Sequence, residues 1–186
     1  MHPTLPFLVV SLVLAALAAW GDARRGQIPN WLTLPVLVVA PLAHAVLARG
    51  QHAVFGLPAP LFAALWSLSA ALVAGLVPYL MFKLGLAGAG DAKLLAALGA
   101  LLLPEFALAA EFSAFAAALL FVPARLAYRG NLFGTLAESL GFAASAVRRK
   151  AGTAGAPPLA FTEHLRLGPF IFVGTLLAPF VARMPT

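Results

Sequence analysis

Six apolar runs, parted by polar stretches or by glycine and proline, set the plan of the chain. The first covers about residues 5–20 and ends on Trp20, where an interfacial aromatic belongs. Residues 21–30, Gly-Asp-Ala-Arg-Arg-Gly-Gln-Ile-Pro-Asn, read as a polar loop. A second run occupies residues 31–48 with Pro35 and Pro41 inside it. Each proline removes a backbone donor, which a membrane helix tolerates when neighbouring groups satisfy the freed carbonyl. After a loop at 49–60, a third run covers 61–82, with Pro78 near its end. Gly85, Gly88 and Gly90 make the next segment a poor helix, and good helix formers resume at Asp91. The fourth run, 91–103, stops at Pro104 and amounts to ~20 Å of helix. A fifth, 106–127, carries Glu111, which is expected to snorkel toward the outer surface. Sustained apolarity returns only in the sixth, 168–182.

A membrane-spanning helix needs roughly 20 mostly apolar residues. The pattern therefore predicts an all-α polytopic membrane protein with six transmembrane helices, a single membrane-embedded domain over 1–186 and a polar connector at 128–167. Inside the connector, Leu132, Leu136, Leu140, Ala143 and Val147 recur at helical spacing, with Thr135, Glu138, Ser139 and Arg149 off that line. The segment is either an amphipathic helix on the membrane surface or a packed connector.

Composition agrees. The 186 residues are 62% hydrophobic and 10% charged, with a mean hydropathy of +0.98, whereas soluble domains carry about a quarter charged residues. The first run lacks a basic leader and a convincing cleavage site, so it reads as a retained helix. With no cysteine there is no disulfide, thiolate zinc site or cysteine nucleophile. His2, His44, His52 and His164 have no HxxxH-type spacing, and neither metal nor organic cofactor is expected.

The net charge of +6 does not point to nucleic acid, because the basic residues are scattered among loops. They report topology and contact with anionic lipid. Six spans put Arg24, Arg25, Lys83, Lys93, Arg125, Arg129, Arg148, Arg149, Lys150 and Arg166 on one side, leaving Arg49 and Arg183 on the other. By the positive-inside rule the first side is cytoplasmic and the amino terminus is outside.

Candidate chemistry is confined to few residues. The chain has two aspartates, Asp22 and Asp91, each at the cytoplasmic edge of an apolar run. Peptide hydrolysis by a carboxylate pair needs one ionised member to take a proton from water and one protonated member to donate to the carbonyl oxygen. Two carboxyls close together in a poorly solvated site supply both forms. The residues also permit a structural reading. Asp91, after glycines and before Ala92-Lys93-Leu94-Leu95, is a good helix N-cap, and Asp22 has Arg24 and Arg25 nearby for an ordinary ion pair.

Gly88-Ala89-Gly90-Asp91-Ala92-Lys93-Leu94 resembles the GxGD signature of type IV prepilin peptidases and archaeal preflagellin peptidases, and Asp22-Ala-Arg-Arg-Gly-Gln-Ile-Pro-Asn30 is similar to the companion motif of that family. Gly168-Pro169-Phe170 resembles the opening of its last helix. The resemblance implies that Asp22 and Asp91 are the catalytic pair of an aspartyl membrane protease. It implies that Gly88 and Gly90 admit an extended substrate backbone, and that Lys93 contributes packing or interfacial charge beside the substrate. The implied partners are pilin-like precursors with a short basic leader, cut on the cytoplasmic face of the bacterial inner membrane just before a hydrophobic stem.

The chain lacks the extra cysteine-bearing region of the larger prepilin peptidases, so it looks more like the short form of tight-adherence (Flp) pilus systems, without methyl transfer. Glu138 and Glu163 are the glutamates available to meet a basic leader. Alternatives are a preflagellin peptidase, another GxGD protease, or a small ion-coupled transporter or pilus-assembly scaffold. The sequence leaves the oligomeric state open.

Overall fold

The computed structural model describes residues 4–84, 87–128 and 166–182, which are helical apart from their connections. In chain order the helices are α1 (Leu5–Arg25), α2 (Asn30–Leu47), α3 (Ala59–Lys83), α4 (Ala89–Tyr128) and α5 (Gly168–Val181). Among the described residues there is no strand, only one isolated bridge between Val54 and Leu57 in the turn before α3. Four stretches are long and apolar enough to cross a membrane: α1, α2, α3 and Ala89–Phe121 of α4. The apolar α5 is shorter, at 14 residues. The chain is thus a multi-pass helical membrane protein. The connector proposed as a surface helix, with Glu138 and Glu163, lies outside the described residues.

Two boundaries move. The first helix does not stop at Trp20 but continues to Arg25, so Asp22 belongs to its last turn rather than to a loop. Nothing in Gly-Asp-Ala-Arg-Arg breaks a helix outright, and Arg24 and Arg25 favour its C-terminal end. Gly26 ends it in the left-handed conformation (φ 64°), donating its N–H to the Asp22 carbonyl at 2.9 Å. At the other motif, α4 begins at Ala89, which makes Asp91 a first-turn residue rather than the cap itself.

The α4 run is interrupted at Leu103, the residue before Pro104, which has φ 65° and ψ 166°. An unbroken helix of 40 residues would be ~60 Å long, twice the hydrocarbon thickness. The packing shows that the chain turns back. Gly174 of α5 lies against Ala110 and Ala114, while Gly168, one and a half turns earlier, is bonded to Asp22. A straight α4 would carry Ala110 about 28 Å beyond Asp91. The fourth and fifth apolar runs are therefore two limbs of a hairpin, 89–102 and 104–128.

This hairpin is the centre of the bundle. Leu94, Leu95, Leu98 and Leu102 are almost wholly buried. The helix contacts themselves are made by small residues. A Cβ on Gly99 would come within 2.5 Å of the Ala70 carbonyl, so α3 and α4 touch backbone to backbone. Ala70, Ala74, Ala97 and Ala100 are fully or nearly fully buried, whereas Val38, Leu72 and Leu119 are exposed. Small residues where helix backbones meet, with many large apolar side chains left exposed, is the arrangement expected where lipid is the solvent.

Polar groups lock the helices together. Ser67 donates to the Ala100 carbonyl at 2.7 Å, and His44 Nε2 lies 3.2 Å from the Leu101 carbonyl. The His44 ring also stacks on Phe7 with centroids 3.9 Å apart. Glu111 does not snorkel. It is 5% exposed, and among the described residues neither carboxylate oxygen has a hydrogen-bond partner. The returning limb faces α5 and the hairpin along this stretch, so the side chain is enclosed before it can reach a surface.

Candidate active site

Asp91 occupies the first turn of α4 and reaches back to the residue preceding the helix, where its Oδ2 accepts the Gly88 N–H at 3.1 Å. An acidic side chain at this position satisfies one of the amides that a helix start leaves unpaired and sits favourably at the positive end of the helix dipole. The geometry fixes the carboxylate at the start of the most buried helix of the bundle. Gly88 is close beside it, since a Cβ there would stand 3.1 Å from Asp91 Oδ2. Gly90 has a different neighbour. A Cβ on it would lie 3.1 Å from Ile28 Cβ, so this glycine lets the α1–α2 connection approach α4.

Asp22 is 6% exposed. Its Oδ2 accepts the backbone N–H of Gly168 at 3.0 Å, a bond joining the end of α1 to the start of α5. A Cβ on Gly168 would lie 2.8 Å from both the Asp22 Cβ and Oδ2, so a side chain there would displace the carboxylate or the helix. Arg166, two residues earlier, donates to the Ala23 carbonyl and lies within electrostatic reach of the Asp22 carboxylate. Arg24 points elsewhere, its guanidinium 3.9 Å above the Trp20 ring.

The two aspartates come together. Each carboxylate is held through Oδ2 by a backbone amide, and the two are close enough for the charge of Asp22 to act on Asp91. Like charges within electrostatic reach in a buried site resist simultaneous ionisation, which favours one ionised and one protonated carboxyl. A pair in that state can act as base through one member and acid through the other.

Lys93 crosses to the companion motif, its Nζ donating to Asn30 Oδ1 at 2.9 Å. Beside the aspartates opens a cleft of about 580 Å³, walled by the end of α1, the α1–α2 connection and the start of α4. Gly21 and Gly90, the residues immediately before the aspartates, line it, as do Arg24, Arg25 and Lys93. Of the three residues assigned to the substrate from sequence, Gly90 and Lys93 are therefore in the cleft wall, while Gly88 supports Asp91.

Sequence reasoning missed the partners that fix the pair. Gly168 appeared there only as the start of a helix, although a glycine directly before proline at a polar-to-apolar boundary was its available signal. Asn30 stood in the companion motif without an assigned partner, and Arg166 had no local signature.

The sequence model of the type IV leader peptidase family matches residues 8–123, which include both aspartates. No curated protein and no solved structure matches the chain.

Proposed function

The chain belongs to the type IV leader peptidase family, and from that premise we propose that it is an aspartyl endopeptidase that removes the leader of pilin-like precursors with Asp22 and Asp91 as its catalytic pair. The observation that carries this reading is the meeting of two sequence-distant aspartates, each held on a backbone amide, at the edge of a cleft. In the proposed reaction the ionised carboxylate takes a proton from water as its oxygen attacks the scissile carbonyl. The protonated carboxyl donates to that carbonyl oxygen to form a gem-diol; as the C–N bond breaks, the proton taken from water goes to the leaving nitrogen and a gem-diol hydroxyl returns its proton to the other carboxylate.

The finer reading follows the same logic. Counting each limb of α4 separately, the proposed number of membrane segments is six, and the lysine and arginine asymmetry favours a cytoplasmic active site in a bacterial inner membrane. With no cysteine, the chain fits the short, Flp-type form that cleaves without methyl transfer. A transporter reading draws on Glu111, buried and without a partner among the described residues, but it accounts neither for the amide-held aspartates nor for the family.

The test is co-expression with candidate pilin precursors of the same genome, comparing wild type with Asp22→Asn and Asp91→Asn. Each substitution is expected to lower leader removal by about 100-fold or more at unchanged membrane levels, the scale of a lost acid or base. Near wild-type processing by either variant rejects the pair.

A further inference from the structure

We propose that the gap between α1 and α2 is the dock for the apolar stem helix of the substrate, entered sideways from the lipid. The inference rests on the peptidase reading and adds where and in what direction the substrate lies.

The two helices are consecutive and joined by a short connection, yet they scarcely touch. They meet at the Phe7–His44 stack, and between that stack and the connection lies a groove. At one end of the groove is the 580 Å³ cleft beside the aspartates, which stops on α2 at Leu32. A second cavity of about 590 Å³ opens on α2 at Pro35, again between α1 and α2, and has Leu101 of α4 as its floor. Val10 on one wall and Val36, Val39 and Ala43 on the other give it an apolar lining. Val10 is 47% exposed and Val39 59%, so the groove faces the membrane directly.

The two cavities differ in chemistry in the order a precursor requires. The deep one offers only apolar surface, suited to a stem that is already stable in lipid. The shallow one brings Arg24, Arg25 and Lys93 to the level of the aspartates. Three cations there repel a basic leader, so the leader lies away from this wall and the chain following the cut runs down the groove. Side chains of α1 and α2 thus set the direction of the substrate across Asp22 and Asp91.

Disulfide trapping tests the dock, since the chain has no cysteine of its own. The probe is a precursor with a basic leader, an apolar stem of about 20 residues and single cysteines placed through the first three turns of that stem. Val10→Cys, Val39→Cys and Leu72→Cys are each made with Asp91→Asn so that the probe is not consumed, and oxidation is by copper phenanthroline. Leu72, on α3 and exposed, is the lipid-facing control. Cross-linking at positions 10 and 39 is expected at about five or more times the yield at 72, from one face of the stem. Equal yields at all three positions overturn the dock.

In the active enzyme, Val39→Trp fills the groove and is expected to slow precursor cleavage at least about tenfold, with Leu72→Trp within about twofold of wild type. Unchanged cleavage by Val39→Trp overturns the proposal and leaves the groove to lipid chains. A wild type that cuts the precursor without preferential cross-linking rejects the dock alone. A wild type that cuts no such precursor rejects the peptidase reading and the dock with it.

Discussion

Lys93 Nζ donates to Asn30 Oδ1 at 2.9 Å, tying the first turn of α4 to the first residue of α2. The bond spans the mouth of the cleft and joins the two sequence motifs that contain the aspartates. Lys93→Met and Asn30→Ala are each expected to lower leader removal about threefold to tenfold, with the double variant no worse than either single one. A coupling energy near 1 kcal/mol in that double-mutant cycle is the predicted value. Independent, additive losses would mean that the two side chains act separately.

Gly168→Ala is predicted to damage catalysis more than folding. Its Cβ would press on Asp22 at 2.8 Å while the backbone N–H donor is still present. The carboxylate has to turn or α5 has to withdraw, and a loss of at least about tenfold in cleavage rate corresponds to about 1.4 kcal/mol of transition-state stabilisation. Rate measurements at matched membrane levels check it.

Gly99→Ala belongs to the opposite class, with stability as its readout. The new methyl group meets the Ala70 carbonyl at 2.5 Å, and neither helix backbone yields cheaply. Overpacking of this kind costs about 1–3 kcal/mol. The purified protein in detergent is expected to melt several degrees lower than wild type, with the activity of the remaining folded fraction retained.

Glu111→Leu is expected to stabilise the protein. The carboxyl group is buried with both oxygens unpartnered among the described residues, and an unsatisfied buried polar group costs about 1–3 kcal/mol that an apolar side chain of similar size removes. A raised melting temperature with unchanged leader removal is the predicted result. Lower activity in this variant would assign Glu111 a part in the chemistry.

How much of this was legible in the sequence can be argued residue by residue. The apolar runs gave the helices, because burial against lipid depends on composition over about twenty positions and little on neighbours. The return of α4 at Leu103 was legible through Pro104, which disfavours a helical conformation at the residue before it. Asp22 and Asp91 were legible as a pair, since carboxylates are rare and costly at such positions. The extension of α1 to Arg25 was not, because polar residues in a last helical turn look like a loop until the capping Gly26 is given weight. Nor was the fate of Glu111, which depends on where α5 packs. The Gly168 bond to Asp22 is a contact between segments 146 residues apart, and local pattern carries no information about such a meeting.

That same separation fixes the order in which the enzyme is built. Asp22 leaves the ribosome 146 residues before the amide that holds it. At the usual ~5–20 residues per second, the aspartate waits many seconds for its donor. Until α5 has inserted, the emerging chain carries both carboxyl groups in the membrane with only one of them anchored. Anchoring of Asp22 thus waits for α5 to insert.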